Sequence, residues 1–445
     1  MPRETAIAIV RRLQEAGHQA LLAGGCVRDR LLGIEPADYD IATSARPEQV
    51  EALFERTAAV GKAFGIVLVH EGSRQFEVAT FRQDGPYRDG RHPESVTFTD
   101  ARRDAERRDF TINAMFEDPI SGEVFDYVGG RRDLEARLIR AVGDPRVRFR
   151  EDRLRMIRAP RFAARFGFDI EAETLAAIRE QAASISQVAA ERLAAELLKI
   201  LTEGGARRGF ELLDETGLLE HLLPEITAMK GCPQPPNFHP EGDVFVHTML
   251  CLEHLEPGCS PTLALGVLLH DVAKPVCAGE KDGRITFYRH TRVGADMATD
   301  ICRRLKLSKA VTERVAWLVA QHLRHCAAER MKQSTLKRFL RQEGIEELLE
   351  LVRIDALGSN GDLSHYEFCR KKLAELPVVE IRPPRLITGH DLKKLGLTPG
   401  PLFRTILREV EDAQLEGRIG TREQALDLVR RNYLEAATRS DPQNQ

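Results

Sequence analysis

Asp38 and Asp40 are the residues whose spacing first suggests chemistry. They stand two residues apart in the segment DYDIAT, which has the composition of a short strand. On a strand, residues i and i+2 project from the same face, so we expect both carboxylates to point to one place. Two anions so close need a cation between them. Oxygen ligands suit Mg²⁺, and a pair of such ions activates an attacking hydroxyl while neutralising a departing pyrophosphate.

A glycine pair just upstream could bring a triphosphate to these carboxylates. Gly24 and Gly25 end the strand candidate HQALLAGG, and glycine lets a backbone approach phosphate closely. Main-chain N–H groups and the Arg28 side chain would then donate hydrogen bonds to the phosphates. Glu77, on the second strand of a predicted hairpin, is our candidate for a third catalytic carboxylate. The alternative is that an Asp-x-Asp pair arises in a loop by chance and binds nothing.

Arg107, Arg108 and Asp109 form a second polar cluster, directly before the apolar residues of RRDFTINAM. Arginine suits triphosphate because its guanidinium group donates two parallel hydrogen bonds. Asp109 could accept a hydrogen bond from a ribose hydroxyl. The alternative is a solvated charge cluster that caps a helix, and the residue types alone leave both interpretations open.

Asp152 and Arg155 are three residues apart in EDRLRMIRA, so we expect them to be neighbours on one helix face. Aspartate accepts and arginine donates hydrogen bonds, which matches the amino group and ring acceptors of cytosine or adenine. Uracil and guanine carry a carbonyl oxygen there instead, and each unpaired polar group costs about 1–3 kcal/mol in a dry site. The alternative, which the residue types alone favour, is an i,i+3 ion pair worth about 0.2–0.5 kcal/mol. Glu151 could orient Arg155.

A separate set of metal-ligand residues lies further along the chain. Histidine is the common neutral metal ligand, and an adjacent His-Asp pair on a helix lets two ligands reach one or two ions. His254 and His325 do not fit the pattern, and we expect them to be ordinary surface residues. The predicted ligands are His247, His270, Asp271, His290, His322 and Asp355.

Length and composition predict a multidomain globular protein. The 445 residues exceed what one hydrophobic core supports, and the 30% charged and 42% hydrophobic residues are typical values. The net charge of −3 gives no overall nucleic-acid signal, so a basic surface would have to be local. The eight cysteines contain no CxxC pair, which predicts reduced thiols and a cytoplasmic location. No run of 18 apolar residues exists, so we expect no membrane partner.

The elements that must position these residues change character along the chain. Short strand patterns predict an α/β head, including a hairpin in GIVLVHEGSRQFEVATF with its turn at residues 72–74. Helical periodicity dominates afterwards. We therefore predict an α/β head with a mixed sheet and helices, followed by all-α domains. The predicted boundaries are 1–132 for the head, 133–229 for a helical neck and body, 230–365 for the histidine-rich domain and 366–445 for a helical tail.

A local basic surplus begins where the predicted helical region begins. From Arg131 to Arg165 the chain has 12 arginines and 5 acidic residues. Such a strip predicts phosphate contacts with a nucleic acid. Some of these arginines must pair with acids or face solvent, so we expect about half of them to make contacts.

Six motifs in order resemble the class II tRNA nucleotidyltransferases, a family of CCA-adding, CC-adding and A-adding enzymes and bacterial poly(A) polymerases. The resemblance is strong over residues 15–225, and RPPRLITGHDLKKLGLTPGP resembles the tail of the family. It implies template-independent addition of CCA to tRNA 3′ ends from CTP and ATP, with Mg²⁺ as cofactor and the tRNA acceptor arm as partner. The motifs are GGCVRDRLLG, DYDIAT, RRDFTINAM, FDYVGGRRDL, EDRLRMIRAPRFAARFGF and ERLAAELLKIL.

The same resemblance implies residue roles. Asp38 and Asp40 would hold two Mg²⁺ ions, Asp109 would favour NTP over dNTP, and Asp152 with Arg155 would select the base. The polar segment 82–101, rich in glycine and proline, predicts a mobile loop that in this family accompanies addition of the terminal A. The full predicted nucleotide-binding set is Gly24, Gly25, Arg28, Arg107, Arg108, Asp109, Asn113, Asp152, Arg155, Arg158 and Arg161.

The histidine-rich order H…HD…H…H…D resembles the HD superfamily of metal-dependent phosphohydrolases. It implies hydrolysis of phosphoesters with a metal-bound water, and some CCA-adding enzymes carry such a domain with phosphatase and 2′,3′-cyclic phosphodiesterase activity. The metal would be a divalent ion such as Mn²⁺, Ni²⁺, Fe²⁺ or Mg²⁺. Two alternatives stay open: an A-adding enzyme or poly(A) polymerase on the same scaffold, and an HD phosphohydrolase with a non-catalytic head. The sequence indicates no particular oligomeric state.

Overall fold

The structure is a computed structural model that describes residues 2–58, 64–85, 95–237 and 239–434, the side chains of 378 and 379 excepted. The middle of the predicted mobile loop, residues 86–94, lies outside the described residues. Among the described helices, none is long and apolar enough to cross a membrane. The chain forms two compact units: the first comprises Met1–Cys232, Leu255–Ala264 and Asp300–Ser308, and the second comprises Pro233–His254, Leu265–Thr299 and Lys309–Gln445.

A seven-stranded mixed sheet forms the head of the first unit, as predicted. Its strands are β1 (Ala20–Ala23), β2 (Asp40–Thr43), β3 (Thr57–Ala58), β4 (Ile66–Glu71), β5 (Arg74–Thr80), β8 (Met115–Glu117) and β9 (Val124–Asp126), while β6 (Arg82–Asp84) and β7 (Val96–Phe98) pair separately. The strand order is β3-β4-β5-β2-β1-β8-β9. Strands β2 and β5 run parallel, and the other neighbours run antiparallel.

The hairpin predicted in the head is confirmed. Strands β4 and β5 pair from Ile66 opposite Ala79 to Glu71 opposite Arg74. The two-residue turn opens with Gly72 at φ 63°, a conformation that favours glycine. The parallel register of β2 with β5 places Ile41 beside Val78, so Asp40 and Glu77 precede that pair at the same level.

Packing in the head follows from apolar strands covered by helices. All four residues of β1 are buried, and Phe81 meets Phe116 edge to face at 5.8 Å. The helices of this unit are α1 (Pro2–Glu15), α2 (Gly25–Leu31), α3 (Pro47–Leu53), α4 (Ala101–Glu106), α5 (Gly130–Glu135), α6 (Pro145–Glu151), α7 (Arg155–Phe166), α8 (Ala172–Gln181), α9 (Ala190–Thr202), α10 (Ala206–Glu215), α11 (Leu218–Leu222) and α12 (Pro224–Thr227), with 3₁₀ turns at Thr111–Asn113 and Ala182–Gln187.

The prediction that Asp38 and Asp40 share one strand is wrong. Strand β2 begins at Asp40, and Asp38 lies in the irregular segment before it. The physical reason is the length of the partner strand. Ala23, the last residue of β1, pairs with Asp40, and the chain then turns through Gly24 into α2. Asp38 therefore has no strand residue of β1 to pair with.

The prediction of one helix carrying Asp152 and Arg155 is also wrong. Helix α6 ends at Glu151, α7 begins at Arg155, and Asp152 between them is extended at φ −140° and ψ 105°. Its Oδ1 accepts a hydrogen bond from the backbone N of Leu154 at 3.1 Å. Aspartate side chains compete with helical hydrogen bonding in this way, which explains the break.

In the described residues beyond 233, helices predominate and a single hairpin interrupts them. Strands β12 (Gly279–Lys281) and β13 (Arg284–Thr286) join through Asp282 and Gly283, both at positive φ. The all-α prediction is wrong here, and also for the paired β10 (Leu138–Ile139) and β11 (Asp169–Ile170) in the first unit. The Asp-Gly turn signal of a hairpin was present in the sequence.

These later helices supply the predicted metal ligands at or near their ends. They are α13 (Val244–Glu253), α14 (Pro261–Leu269), α15 (Lys274–Cys277), α16 (His290–Arg304), α17 (Lys309–Gln321), α18 (Gln333–Leu340), α19 (Ile345–Leu357), α20 (Ser364–Glu375), α21 (Val378–Ile381), α22 (Gly389–Lys394), α23 (Pro401–Leu415) and α24 (Arg422–Val429). His270 follows α14, His290 begins α16 and His322 follows α17. Backbone turns at helix ends thus set the direction of three imidazoles.

Arg161 of α7 and Glu196 of α9 form a buried ion pair in the first unit. The Nη1 of Arg161 lies 2.6 Å from Oε2 of Glu196, and the two residues are 5% and 4% exposed. Arg158 and Lys199 also approach Glu196, at 3.8 and 4.0 Å. One carboxylate therefore balances several cations where α7 and α9 pack together.

We predict that Glu196→Ala lowers the melting temperature of the first unit strongly. Removing one partner leaves buried cations without compensation, which costs about 3–5 kcal/mol. Glu203→Ala is the matched control. Glu203 pairs with Arg165 at 3.4 Å, and both side chains are partly exposed. An exposed ion pair contributes about 1 kcal/mol or less to stability. Thermal unfolding followed by circular dichroism measures both. Equal shifts for the two variants would contradict the prediction.

Candidate functional site

A cavity of about 650 Å³ in the first unit collects the predicted nucleotide-binding residues. Every member of that set lines it, together with Asp38 and Asp40. The lining contains nine arginine or lysine side chains and six acidic ones, so the cavity has a cationic surplus suited to a polyanion. Five charged lining residues lay outside the prediction: Asp29, Arg165, Arg192, Lys199 and Glu203.

The glycine turn forms one wall of this cavity. Gly24 adopts φ 72° and ψ −123° at the junction of β1 and α2, a conformation open to glycine. A Cβ atom on Gly24 would lie 2.8 Å from Nη1 of Arg108. The backbone N of Gly24 donates to the carbonyl of Met115 at 3.0 Å. The missing side chain thus lets an arginine and the backbone approach each other closely.

The three predicted catalytic carboxylates lie close enough to affect one another. Burial raises the pKa of Asp40, Arg108 lowers it and Asp38 raises it further. Burial also raises the pKa of Glu77, with Asp40 as the next cause. Asp38 and Asp40 line both the main cavity and an adjoining one of about 390 Å³, which Glu77 also lines. Carboxylates gathered in this way fit a hard divalent cation, whose charge would stabilise their ionised forms.

Arg28 is held inside the wall. It is 4% exposed, its Nε donates to Asp29 at 2.8 Å, and a second nitrogen donates to Oδ1 of Asn113. The guanidinium carbon also lies 4.6 Å from the ring centre of Phe166. Burial lowers the pKa of Arg28, and Asp29 opposes that effect. Sequence reasoning missed Asp29, although it directly follows Arg28 in the motif.

Arg107 and Arg108 share one buried anchor, Asp104. Arg107 lies 2.7 Å from Oδ1 and Arg108 lies 3.0 Å from Oδ2 of this carboxylate. Burial raises the pKa of Asp104, but Arg108 and Arg107 outweigh it and the net pKa is lowered. Asp104 was missed by sequence reasoning, although its i,i+3 and i,i+4 spacing on a helix would have indicated it. The anchor fixes both guanidinium groups at the cavity.

Asp109 holds Arg158 across the cavity. Its Oδ2 lies 2.7 Å from Arg158, and its Oδ1 accepts hydrogen bonds from the backbone N of Phe110 at 2.7 Å and from Asn113 at 3.1 Å. Burial raises the pKa of Asp109, but Arg158, Arg155 and the hydrogen bonds lower it to about 2. The carboxylate is therefore an ionised anchor with both oxygens engaged by protein groups.

Asp152 and Arg155 each have a different partner. Asp152 accepts two hydrogen bonds from Arg192, at 3.2 and 2.9 Å. Arg155 lies 2.9 Å from Oε2 of Glu151 and donates to the carbonyl of Arg107 at 3.0 Å. The alternative of an i,i+3 ion pair between Asp152 and Arg155 is thus wrong, because each side chain has a separate partner, and Glu151 contacts Arg155 as expected. Arg192 was missed because its partner lies 40 residues away.

A second candidate site forms in the second unit, where all six predicted metal ligands converge. Nε2 of His247 lies 3.2 Å from Nε2 of His270 and 3.1 Å from Oδ1 of Asp355. Among the described residues, ligand atoms within 4.8 Å of one another form three groups. They are His247, Cys251, His270 and Asp355; Asp271, His290 and His322; and His239, Glu241 and His247, which shares His247 with the first group.

The backbone fixes which nitrogen of three imidazoles faces this centre. Nδ1 of His270, His290 and His322 lies 2.8, 2.8 and 2.7 Å from the carbonyl oxygen three residues earlier. Because a carbonyl only accepts, Nδ1 must be the donor, and Nε2 keeps its lone pair in the neutral ring. Nε2 of His290 and of His322 is buried without a hydrogen-bond partner and lies 3.7 Å from Oδ1 of Asp271. Such orphaned acceptors fit metal ligation.

Four further residues surround this centre that sequence reasoning did not assign. Nζ of Lys274 lies 2.6 Å from Asp271, and Nδ1 of His247 lies 2.9 Å from Glu241. Cys251 and His239 complete the surroundings. The prediction of a surface position for His325 is wrong, because that residue is 8% exposed and contacts the carbonyl of His322 at 2.7 Å. His325 lies in the 3₁₀ turn Arg324–Arg330, and its ring meets that of His365 with 6.0 Å between the centroids.

Three family models match consecutive parts of the chain. Residues 20–140 match the poly A polymerase head domain, and residues 167–230 match the model described as "Probable RNA and SrmB-binding site of polymerase A". Residues 285–429 match tRNA nucleotidyltransferase domain 2. The first match covers the carboxylates and the glycine turn, and the other two cover helical regions.

Similar proteins and structures extend this result. The CCA-adding enzyme of Bacillus pumilus is 46% identical over 50% of this chain, which covers 55% of that relative. The CCA-adding enzyme of Levilactobacillus brevis is 33% identical over 95% of this chain and 96% of its own length. The crystal structure of the Bacillus stearothermophilus CCA-adding enzyme in complex with CTP matches 98% of this chain and 99% of its own, at 28% identity and a TM-score of 0.76. This chain belongs to the family of CCA-adding enzymes.

Proposed function

We propose that this protein adds C, C and A to the 3′ end of tRNA from CTP and ATP. The observation that carries the proposal is one cavity in which Asp38, Asp40, the glycine turn and all predicted nucleotide-binding residues meet. The family membership supports it, since the relatives bear the name CCA-adding enzyme and one solved relative is a complex with CTP. The reaction is attack of a tRNA 3′ hydroxyl on the α-phosphate, with release of pyrophosphate.

The catalytic residues are Asp38, Asp40 and Glu77. Mg²⁺ held by the two aspartates would supply activation of the hydroxyl and neutralisation of the pyrophosphate charge. Burial, with a neighbouring carboxylate as a further cause, raises the pKa of Asp40 and of Glu77. A cation among these carboxylates would favour their ionised forms, which supports a cation site at this place. The anchored Arg107 and Arg108 are suited to hold the triphosphate without losing conformational freedom on binding.

Asp152 and Arg155 would select the base by its hydrogen-bonding edge. Asp152 accepts a hydrogen bond from the amino group of cytosine or adenine, and Arg155 donates to a ring acceptor. Their separate partners, Arg192 and Glu151, hold each side chain in place at the cavity. Asp109, engaged with Arg158, would contact the ribose through its remaining acceptor capacity.

The partner of this site would be the tRNA acceptor arm. The lining arginines Arg158, Arg161 and Arg165 belong to the basic strip that begins at Arg131. Counterion release from phosphates would then make binding strongly salt-dependent. We also propose the domain limits 1–132, 133–229, 230–365 and 366–445, which follow the change from strand patterns to helical periodicity. We propose a cytoplasmic location because the eight cysteines contain no CxxC pair, which predicts reduced thiols.

We predict that a tRNA lacking its CCA end gains two C residues when CTP is the only nucleotide. ATP should then add one A. This follows if one hydrogen-bonding pair accepts both bases. Gel analysis of products made with CTP alone, ATP alone and both measures the outcome. Incorporation of A without C would favour the alternative of an A-adding enzyme or poly(A) polymerase.

Asp40→Asn tests the assignment of Asp40 as a catalytic residue. It should lower addition by roughly 10³-fold or more, because it weakens metal charge stabilisation worth several kcal/mol. Asp169→Asn is the matched variant, since the Asp169 side chain is 86% exposed in the same unit. Addition that survives in Asp40→Asn would show that the head is non-catalytic or uses other residues.

We predict that Asp152→Asn relaxes discrimination between CTP and UTP. An amide can donate to the uracil carbonyl, whereas a carboxylate leaves that oxygen unpaired at about 1–3 kcal/mol. The CTP to UTP ratio of kcat/KM should therefore fall about tenfold, with Asp169→Asn unchanged. If Asp152→Asn lowers kcat/KM for CTP and UTP equally, the ratio does not change. Asp152 would then only hold Arg192 and would not select the base.

A second activity, metal-dependent phosphoester hydrolysis, is supported by the ligand centre of the second unit. Its six residues present nitrogen lone pairs and carboxylate oxygens that repel one another unless cations lie between them. Mn²⁺, Ni²⁺, Fe²⁺ or Mg²⁺ held there would supply an activated water. Lys274, 2.6 Å from Asp271, would add a positive charge beside a phosphoester bound at this centre.

We predict that His322→Ala abolishes hydrolysis of p-nitrophenyl phosphate and leaves CCA addition unchanged. His322 is a ligand candidate with no other hydrogen-bond partner for its Nε2. His254→Ala, outside the ligand groups, is the matched control and should keep both activities. Hydrolysis and the amount of metal bound per chain are measured for the protein and both variants with Mn²⁺, Ni²⁺, Fe²⁺ and Mg²⁺ in turn. Hydrolysis that persists in His322→Ala would contradict the assignment.

A further inference from the structure

Cys251 lies among the metal-ligand candidates without belonging to the predicted set. It follows His247 by one helical turn on α13 and is fully buried. Its Sγ lies 3.5 Å from Nε2 of His247. The ligand atoms of Cys251, His247, His270 and Asp355 all lie within 4.8 Å of one another. The sulfur therefore borders a group of two imidazoles and one carboxylate.

The backbone of Gly358 confines the sulfur to this position. A Cβ atom on Gly358 would lie 2.5 Å from Sγ and 3.0 Å from the backbone N of Cys251. The carbonyl of the same glycine lies 3.2 Å from Nδ1 of His247, on the opposite side of the ring from Nε2. Gly358 and Glu241, which lies 2.9 Å from the same Nδ1 atom, together orient His247, and Gly358 also closes one side of Cys251.

A buried cysteine is commonly a small core residue, and its neighbours here argue against that role. A core thiol packs against apolar side chains, whereas this sulfur faces polar ligand atoms. The same centre contains buried Nε2 atoms of His290 and His322 without hydrogen-bond partners, an independent sign that cations complete it. Two nitrogens, one oxygen and one sulfur form a four-ligand set of the kind that holds zinc.

We propose that Cys251 is a thiolate ligand of the ion held by His247, His270 and Asp355. This inference rests on the proposed metal centre of the second unit. The thiol releases its proton to solvent when the ion binds, and a metal–sulfur bond forms. The two positions of the centre then differ: the Cys251 position selects a thiophilic ion such as Zn²⁺ or Co²⁺, and the position at Asp271, His290 and His322 accepts harder ions.

The test is the absorption spectrum of the full-length protein titrated with Co²⁺. We expect an intense sulfur-to-cobalt charge-transfer band that disappears in Cys251→Ala. Zn²⁺ affinity in that variant should fall about 10- to 100-fold, while Mn²⁺ affinity stays within about threefold. Cys369→Ala is the matched control, because Cys369 is equally buried in the same unit. Cys26→Ala controls for the head, where Cys26 borders the nucleotide cavity.

The outcomes separate this inference from the proposed metal centre. The wild-type protein could bind Co²⁺ without a charge-transfer band and bind less Co²⁺ per chain after His322→Ala. That result would support the metal centre and overturn Cys251 as its ligand. A band that persists in Cys251→Ala and vanishes in Cys26→Ala would also overturn it. Failure of the second unit to bind Co²⁺, Zn²⁺ or Mn²⁺ would overturn both. Loss of the band in Cys251→Ala alone supports the proposal.

Discussion

The pairing of Ala23 with Asp40 is the constraint on which the candidate active site depends. Because β1 ends at this pair, the chain turns at Gly24, next to the carboxylate of Asp40. The parallel register of β2 with β5 then brings Glu77 to the level of Asp40. A short strand pair thus places the glycine turn and the acidic residues at one edge of the sheet. Lengthening that strand pair by two residues would carry the turn away from the carboxylates.

Around this edge, the arginines are positioned by acids. Asp104 holds two of them and Asp109 holds Arg158, while Glu196 balances Arg161 between two helices. Each anchor lowers the entropy that an arginine would lose on binding a phosphate. Burial would otherwise make such a concentration of cations unfavourable. The cavity therefore has a cationic surplus that suits a polyanion, and pairing within the wall offsets the repulsion among its buried charges.

The two candidate sites use opposite electrostatic arrangements. In the first unit the cavity that Asp38 and Asp40 line has more cationic than acidic side chains, an arrangement suited to an anionic ligand and its cation. In the second unit imidazole lone pairs and carboxylates face one another, with Lys274 as the positive side chain bound to Asp271. Backbone carbonyls set the imidazole orientation there, so the centre is preorganised by helix ends. One arrangement suits a triphosphate and the other suits bare metal ions.

The sequence by itself determined the α/β head, the hairpin and the residue types that gather in the nucleotide cavity, because motif spacing and local periodicity carry that information. It also predicted six histidine and aspartate residues as metal ligands, and the fold brings these six side chains together. Tertiary structure alone decided the partners. Asp152 pairs with Arg192 rather than Arg155 because its own backbone breaks the helix and α9 packs opposite. Asp38 lies outside β2 because the partner strand ends. Cys251 is near His247 through helical spacing, but it meets the predicted ligand Asp355 because α13 packs against α19. Such contacts depend on residues distant in the chain, which local patterns do not encode.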